Sequence, residues 1–139
     1  MTSVVYIIPV PSTAFLEDAE FLQLLGRKCS LKYYYEGEDD YSIIFEELIF
    51  DGVESFKCTH FMACSLEMHY AYDKVLNVGL SQWLKDIIEN LLQNNADSKD
   101  LKHFRVYFDD GPCYEFICRS FDVFRKEQKD YFENLNNPF

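Results

Sequence analysis

The chain has 139 residues, of which 48% are hydrophobic and 17% aromatic, and its formal net charge at pH 7 is −11. This length suits one globular domain over residues 1–139, and the apolar content excludes a disordered, solvating tail. The negative charge disfavours binding to nucleic acid and to anionic membrane surfaces, because both attract Lys and Arg.

The first part of the chain predicts a strand, a helix and then a set of strands. A β-rich run ends at Pro9, which cannot continue a strand ladder. Ser12 or Thr13 caps a predicted helix, which Gly26 ends. Polar turns then separate runs of β-forming residues. The predicted strands cover residues 4–8, 31–36, 41–50 and 56–63.

Two helices are predicted in the middle of the chain. Ser65 caps the first, over residues 66–78, and Gly79 interrupts it. Ser81 caps the second, whose apolar residues recur at the spacing of one buried helix face. That face consists of Leu84, Ile87, Ile88 and Leu91.

The last third predicts a hairpin and a terminal helix. Residues 104–108 and 114–121 alternate with period two around the Asp-Asp-Gly-Pro turn at 109–112. A charged helix over residues 125–135 follows. Its docking residues are Tyr131, Phe132 and Leu135. With the preceding elements, this predicts an α+β fold, a mainly antiparallel sheet with helices packed on one face.

Cysteine and histidine residues are the candidates for metal binding or catalysis. Cys58, His60, Cys64 and His69 lie close together in sequence, but their spacing matches no structural zinc pattern. The chain contains no phosphate loop, dinucleotide motif or nucleophile motif, so we expect no metal, no cofactor and no enzyme activity. Five cysteines without an export signal predict reduced thiols and a cytoplasmic location.

The strongest functional signal is an acidic and aromatic stretch. Residues 33–56 hold eight carboxylates and no Lys or Arg, an arrangement that repels itself unless a positive partner approaches. A solvated acidic sheet face is the simpler alternative. We predict a partner-binding site with Tyr34 and Tyr41 as anchors, since Tyr is favoured at interfaces. The predicted site residues are Tyr34, Glu36, Glu38, Asp39, Asp40, Tyr41, Glu46, Glu47 and Asp51.

By its size, its acidity and the hairpin sequence FRVYFDDGPCYEFICRSF, the chain resembles the immunity proteins of bacterial toxin systems. The resemblance implies a non-enzymatic inhibitor that binds and neutralises a cognate, basic toxin domain such as a nuclease. Two other interpretations stay open. One is a small cytoplasmic enzyme that uses Cys58 or Cys64 with His60 or His69. The other is a homo-oligomeric ligand-binding domain, for example a homodimer.

Overall fold

The computed structural model describes residues 2–39 and 41–129, which form two antiparallel sheets and one α-helix. The sheets have the orders β1-β6-β7-β8-β5 and β2-β3-β4-β9. The strands are β1 (Ser3–Ile7), β2 (Glu20–Leu24), β3 (Lys28–Glu36), β4 (Ile43–Asp51), β5 (Ser55–Thr59), β6 (Lys74–Asn77), β7 (Lys102–Tyr107), β8 (Cys113–Cys118) and β9 (Ser120–Gln128). The helices are α1 (Gln82–Gln93) and three short 3₁₀ helices, Ser12–Ala14, Phe61–Ala63 and Glu67–Ala71.

A hydrophobic core fills the space between the two sheets. Alternate residues of β3 point into it, so Leu31, Tyr33 and Tyr35 are buried. From the facing sheet, Phe116 of β8 stacks on Phe50 of β4 with 4.0 Å between the ring centroids. The two sheets therefore pack face to face as a sandwich.

A third layer covers the outer face of the five-stranded sheet. Trp83 of α1 packs edge-on against His103 of β7, with 5.1 Å between the ring centroids. The 3₁₀ helix Glu67–Ala71 lies further along the same face, where Ala71 is fully buried in a small cluster with Tyr107. In the described part of the chain, no helix is long and apolar enough to cross a membrane.

The predicted α+β class is wrong, because strands dominate the described chain and only one α-helix packs on them. Residues 12–25, predicted as a helix, form only the short 3₁₀ helix Ser12–Ala14 before β2. Their apolar spacing fits a helix face, but β2 pairs along its whole length with β3. Phe21 of β2 lies in the core, stacked on Tyr114 and Phe116 at 5.7 and 6.1 Å.

The predicted helix over residues 66–78 is also wrong. Only Glu67–Ala71 is helical, and Asp73 with a φ of 55° breaks the run before β6. β6 lies inside the five-stranded sheet, between β1 and β7. Val75 is buried in the core and Leu76 on the opposite face, so the strand buries both sides and shows no alternation in its sequence.

Several local predictions are confirmed. The strands predicted over residues 4–8, 31–36 and 41–50 appear as β1, β3 and β4, and the predicted hairpin is β7–β8. Ser81 caps α1, since its Oγ accepts a hydrogen bond from the Leu84 N–H at 3.2 Å.

Three predicted elements differ from the structure at one end. The second strand of the predicted hairpin, over residues 114–121, ends at Cys118 as β8, and Ser120 begins β9 in the other sheet. The run over residues 56–63 is a strand only as far as Thr59 and continues as the 3₁₀ helix Phe61–Ala63. The predicted terminal helix over residues 125–135 is wrong over residues 125–128, which belong to the strand β9. Its docking residues Tyr131, Phe132 and Leu135 lie outside the described residues.

Candidate functional site

The residues of the predicted partner site do not form one surface. The β3–β4 turn carries an exposed group of acidic and aromatic side chains, and Glu47 and Asp51 lie further along β4. Asp51 is eight residues from the start of β4, which corresponds to about 27 Å along the strand. Strands β3 and β4 also form a hairpin, and the exposed group at its turn is here called the hairpin tip. It consists of Glu36, Glu38, Asp39 and Tyr41. Asp40 lies outside the described residues.

The outer face of the four-stranded sheet holds three more of the predicted residues: Tyr34, Glu47 and Asp51. Tyr34 is half-buried and its ring stacks on Phe45 at 5.5 Å, beside a pocket of about 360 Å³. Glu47 lies 3.6 Å from the Lys32 ammonium, and Asp51 is similarly close to Lys28 at 3.9 Å. Such surface pairs contribute about 0–1 kcal/mol each, and both carboxylates already have a cation nearby.

Glu46 requires a correction, because it is only 2% exposed and cannot present its carboxylate to a partner. Oε1 accepts hydrogen bonds from the hydroxyls of Tyr6, at 2.6 Å, and of Tyr33. Oε2 accepts a hydrogen bond from Tyr35 at 3.2 Å. Tyr6 belongs to the five-stranded sheet and Glu46 to the four-stranded sheet, so this cluster ties the two layers together.

The same cluster makes stability depend on pH in the alkaline range. Burial and the adjacent Glu46 carboxylate raise the pKa of Tyr6, Tyr33 and Tyr35, that of Tyr35 to about 12. A raised pKa in the folded state means that the stabilisation is complete below the unfolded pKa of about 10. It is lost as the pH rises through the folded pKa.

We therefore expect the free energy of unfolding to fall above pH 10 by about 1.4 kcal/mol per pH unit for each of these tyrosines. Denaturant titrations between pH 9 and pH 12, with tyrosinate absorbance measured in parallel, check this. Tyr35→Phe should reduce the decrease of the unfolding free energy with pH by the contribution of one tyrosine. Full ionisation of Tyr6, Tyr33 and Tyr35 near pH 10 in the folded protein would contradict the expectation.

A second acidic region, which we call the acidic cleft, lies where the β1–β2 connection meets the β7–β8 turn. It has a volume of about 700 Å³. Aromatic side chains line it, and four carboxylates stand around it. The aromatic residues are Phe15, Phe108 and Tyr114, and the acidic residues are Glu17, Asp18, Asp109 and Asp110.

Hydrogen bonds hold the walls of the acidic cleft together. The backbone N–H of Asp109 donates to Ser12 Oγ at 2.8 Å, and the N–H of Ser12 donates to Asp73 Oδ2 at 3.1 Å. The Tyr72 hydroxyl donates to Asp109 Oδ1 at 3.1 Å. The β1–β2 connection is thus fastened to the β7–β8 turn, and the shape of the cleft is defined before any ligand arrives.

Reasoning from sequence missed this cleft because its walls come from distant parts of the chain. The sequence predicts Glu17 and Asp18 in a helix and Asp109 and Asp110 in the turn of a hairpin, and neither pattern brings the two pairs together. A signal was nevertheless present, because three segments contain eight carboxylates and no Lys or Arg. These segments are residues 8–26, 58–73 and 106–118.

A buried polar chain connects α1 to the five-stranded sheet. Ser81 Oγ lies 2.7 Å from His103 Nδ1, and His103 Nε2 lies 2.9 Å from Glu115 Oε1. Arg105 Nε donates to the same carboxylate oxygen at 2.8 Å. Desolvation pushes the pKa of Glu115 up, but the hydrogen bonds from His103 and Arg105 outweigh it and hold the pKa below its usual value.

The order of serine, imidazole and carboxylate in this chain resembles that of an activated nucleophile. Here Ser81 Oγ also caps α1 by accepting from the Leu84 N–H, and the Trp83 ring covers His103. We therefore assign these hydrogen-bonded side chains the role of docking α1 onto the sheet.

The cysteines and histidines near residue 60 show no sign of activation. Burial raises the pKa of the Cys58 and Cys64 thiols, whereas reactive cysteines have a lowered pKa. His60 is exposed, and the His69 ring packs against Tyr107 at 4.6 Å. Across residues 2–39 and 41–129, no three His, Cys, Asp or Glu side chains come together as a metal site.

We compared the chain with known proteins at three levels. Protein-family models, curated proteins and solved structures all give no match to it.

Proposed function

We propose that the chain is a non-enzymatic acidic inhibitor that binds a basic protein domain, as an immunity protein binds its cognate toxin. The acidic cleft is the observation that carries this proposal. Four carboxylates stand around an aromatic-lined space of about 700 Å³, in segments without Lys or Arg. A site of this kind attracts cationic side chains, and the half-buried ring of Phe15 can receive their aliphatic stems.

Binding would start with long-range attraction. The net charge of −11 raises the rate of encounter with a positive domain, by about 10- to 1,000-fold at low salt. The hairpin tip adds a second exposed acidic group, with Tyr41 as an anchor. If the partner is a nuclease, its Lys and Arg that bind phosphate would enter the cleft, and the substrate would be excluded.

A cytoplasmic location is part of the proposal. All five cysteines are unpaired, which agrees with a reducing compartment. A toxin domain made in the same cell could then be bound before it acts.

Neutralising the cleft is expected to weaken capture of the basic partner from source cells by about 10- to 100-fold. The variant is Glu17→Gln, Asp18→Asn and Asp110→Asn together. Asn is chosen at 110 because it tolerates the φ of 58° there. Pull-downs at low and high salt measure the effect, and the wild-type interaction should weaken with salt.

A matched control changes the net charge by the same amount elsewhere. Asp86→Asn, Glu89→Gln and Asp100→Asn remove three exposed carboxylates around α1. α1 begins beside His103, at the other end of β7 from the cleft. Equal losses in both triple variants would mean that only overall charge matters. Capture of no basic protein by the wild type would overturn the proposed function.

A further inference from the structure

An exposed apolar segment lies beside the acidic cleft and is not explained by packing. Its side chains include Met62, Leu66 and Tyr70, which are 91%, 76% and 66% exposed. Phe61 and Tyr72 are also exposed. Large exposed apolar side chains that are grouped together mark interaction sites, and these five come from one segment of twelve residues, 61–72.

The backbone beneath these side chains is firmly placed. In the 3₁₀ helix Glu67–Ala71, residues three apart share a face. Met68 and Ala71 therefore point onto the sheet, where Ala71 is fully buried, while Glu67 and Tyr70 point outward. The outward residues are held by a packed inner face, so they are preorganised for contact.

The apolar segment touches the acidic cleft at two points, through Tyr72 and through Phe61. The Tyr72 hydroxyl donates to Asp109 Oδ1 at 3.1 Å. A Cβ built at Gly111 would lie 3.0 Å from the Phe61 backbone nitrogen, so the segment touches the β7–β8 turn directly. Gly111 also has a φ of 69°, and a side chain there would be both strained and obstructed.

We propose that this surface, residues 61–72 together with the acidic cleft, docks a basic protein segment that also carries apolar side chains. The proposal rests on the proposed function and names the chemistry of the partner. The cations enter the cleft, and apolar groups contact Met62, Leu66 and Tyr70. Residues 58–73 contain Glu67 and Asp73 but no Lys or Arg, so nothing on the segment repels such a partner.

The negative charge favours a basic protein as the occupant over a second copy of the chain or an anionic membrane. A second copy of the chain would bring another net charge of −11 to the same surface. An anionic membrane would be repelled in the same way. A basic protein is attracted by the cleft and can bury the neighbouring apolar groups.

Two synthetic peptides of equal length and equal arginine content test the inference, one with leucine and the other with serine at the remaining positions. The isotope-labelled full chain is titrated with each, and amide signals are followed by NMR. The Arg/Leu peptide should shift signals of the cleft and of residues 61–72. It should also bind about tenfold more tightly, as burial of about 60 Å² of apolar surface predicts. The Arg/Ser peptide should shift only the cleft.

Met62→Ser with Leu66→Ser should reduce the affinity for the Arg/Leu peptide to that for the Arg/Ser peptide, with the salt dependence unchanged. Leu80→Ser with Leu92→Ser is the matched control, because Leu80 just before α1 and Leu92 within it are both exposed. Equal binding of both peptides at the cleft would overturn the inference and leave the proposed function standing. Binding of neither peptide, or signals that shift only at the hairpin tip, would overturn both.

Discussion

Glu46→Ala is expected to lower the free energy of unfolding by about 4 kcal/mol, a large part of the stability of a domain of this size. The substitution leaves the hydroxyls of Tyr6, Tyr33 and Tyr35 without their shared acceptor inside the core. Hydrogen bonds to a charged group contribute about 1.5–3 kcal/mol each, and the substitution removes three such hydrogen bonds at once. Urea denaturation at neutral pH measures the change.

The adjacent residue provides a matched control. Glu47 points to the outer face of the same strand and lies 3.6 Å from the Lys32 ammonium. Glu47→Ala should cost no more than about 1 kcal/mol, since its ion pair is exposed to solvent. Glu46→Gln keeps the volume and one acceptor oxygen and should fall between the two. Equal costs at positions 46 and 47 would show that the tyrosine cluster contributes little.

Glu115→Ala is expected to lower the free energy of unfolding by about 3–5 kcal/mol. Arg105 and His103 are both buried and both bind the same carboxylate oxygen, at 2.8 and 2.9 Å. Without Glu115, the buried guanidinium keeps only the exposed Glu67 carboxylate nearby, and the contact that orients His103 under α1 is lost. Chemical denaturation at pH 7, monitored by the fluorescence of the single tryptophan Trp83 in α1, measures the change.

The effect should depend on pH with a defined sign. The pKa of Glu115 is held below its ordinary value of 4.5, so its stabilisation is complete above that pH. It is lost as the pH falls through the lowered pKa, and the advantage of the wild type over Glu115→Ala should shrink there. Glu67→Ala is the control: Glu67 also approaches Arg105, at 3.8 Å, but is 72% exposed and should cost at most about 1 kcal/mol. An equal loss at both positions would contradict this assignment.

The elements that were predicted correctly are those encoded by neighbouring residues. A run of β-forming residues before a polar turn identified β3, period-two alternation identified the β7–β8 hairpin, and Ser81 identified the start of α1. In each case the decisive interaction spans a few residues: a turn, a cap or one strand's alternation. The predictions for the segments of β2 and β6 were wrong for the opposite reason. Their apolar spacing fits a helix as well as a strand, and pairing with distant strands decides that they are strands.

The candidate site was likewise predictable only in its local features. Composition alone showed that the chain carries excess negative charge and that aromatic residues lie among the acids. Adjacent residues of a strand point to opposite faces, so only one of Glu46 and Glu47 can face the core. Which face is buried depends on the second sheet, and Tyr6, forty residues away, supplies one of the hydrogen bonds that hold Glu46 inside.

The sequence by itself thus determined the charge, the hairpin and the cap of α1, since these depend on composition and short-range contacts. Only the tertiary structure decided which acids share a surface. Asp18 and Asp109 are about ninety residues apart in the chain, yet they line one cleft because Ser12 binds the β7–β8 turn. Sheet pairing and core packing act between distant segments, and no local pattern records which segments will meet.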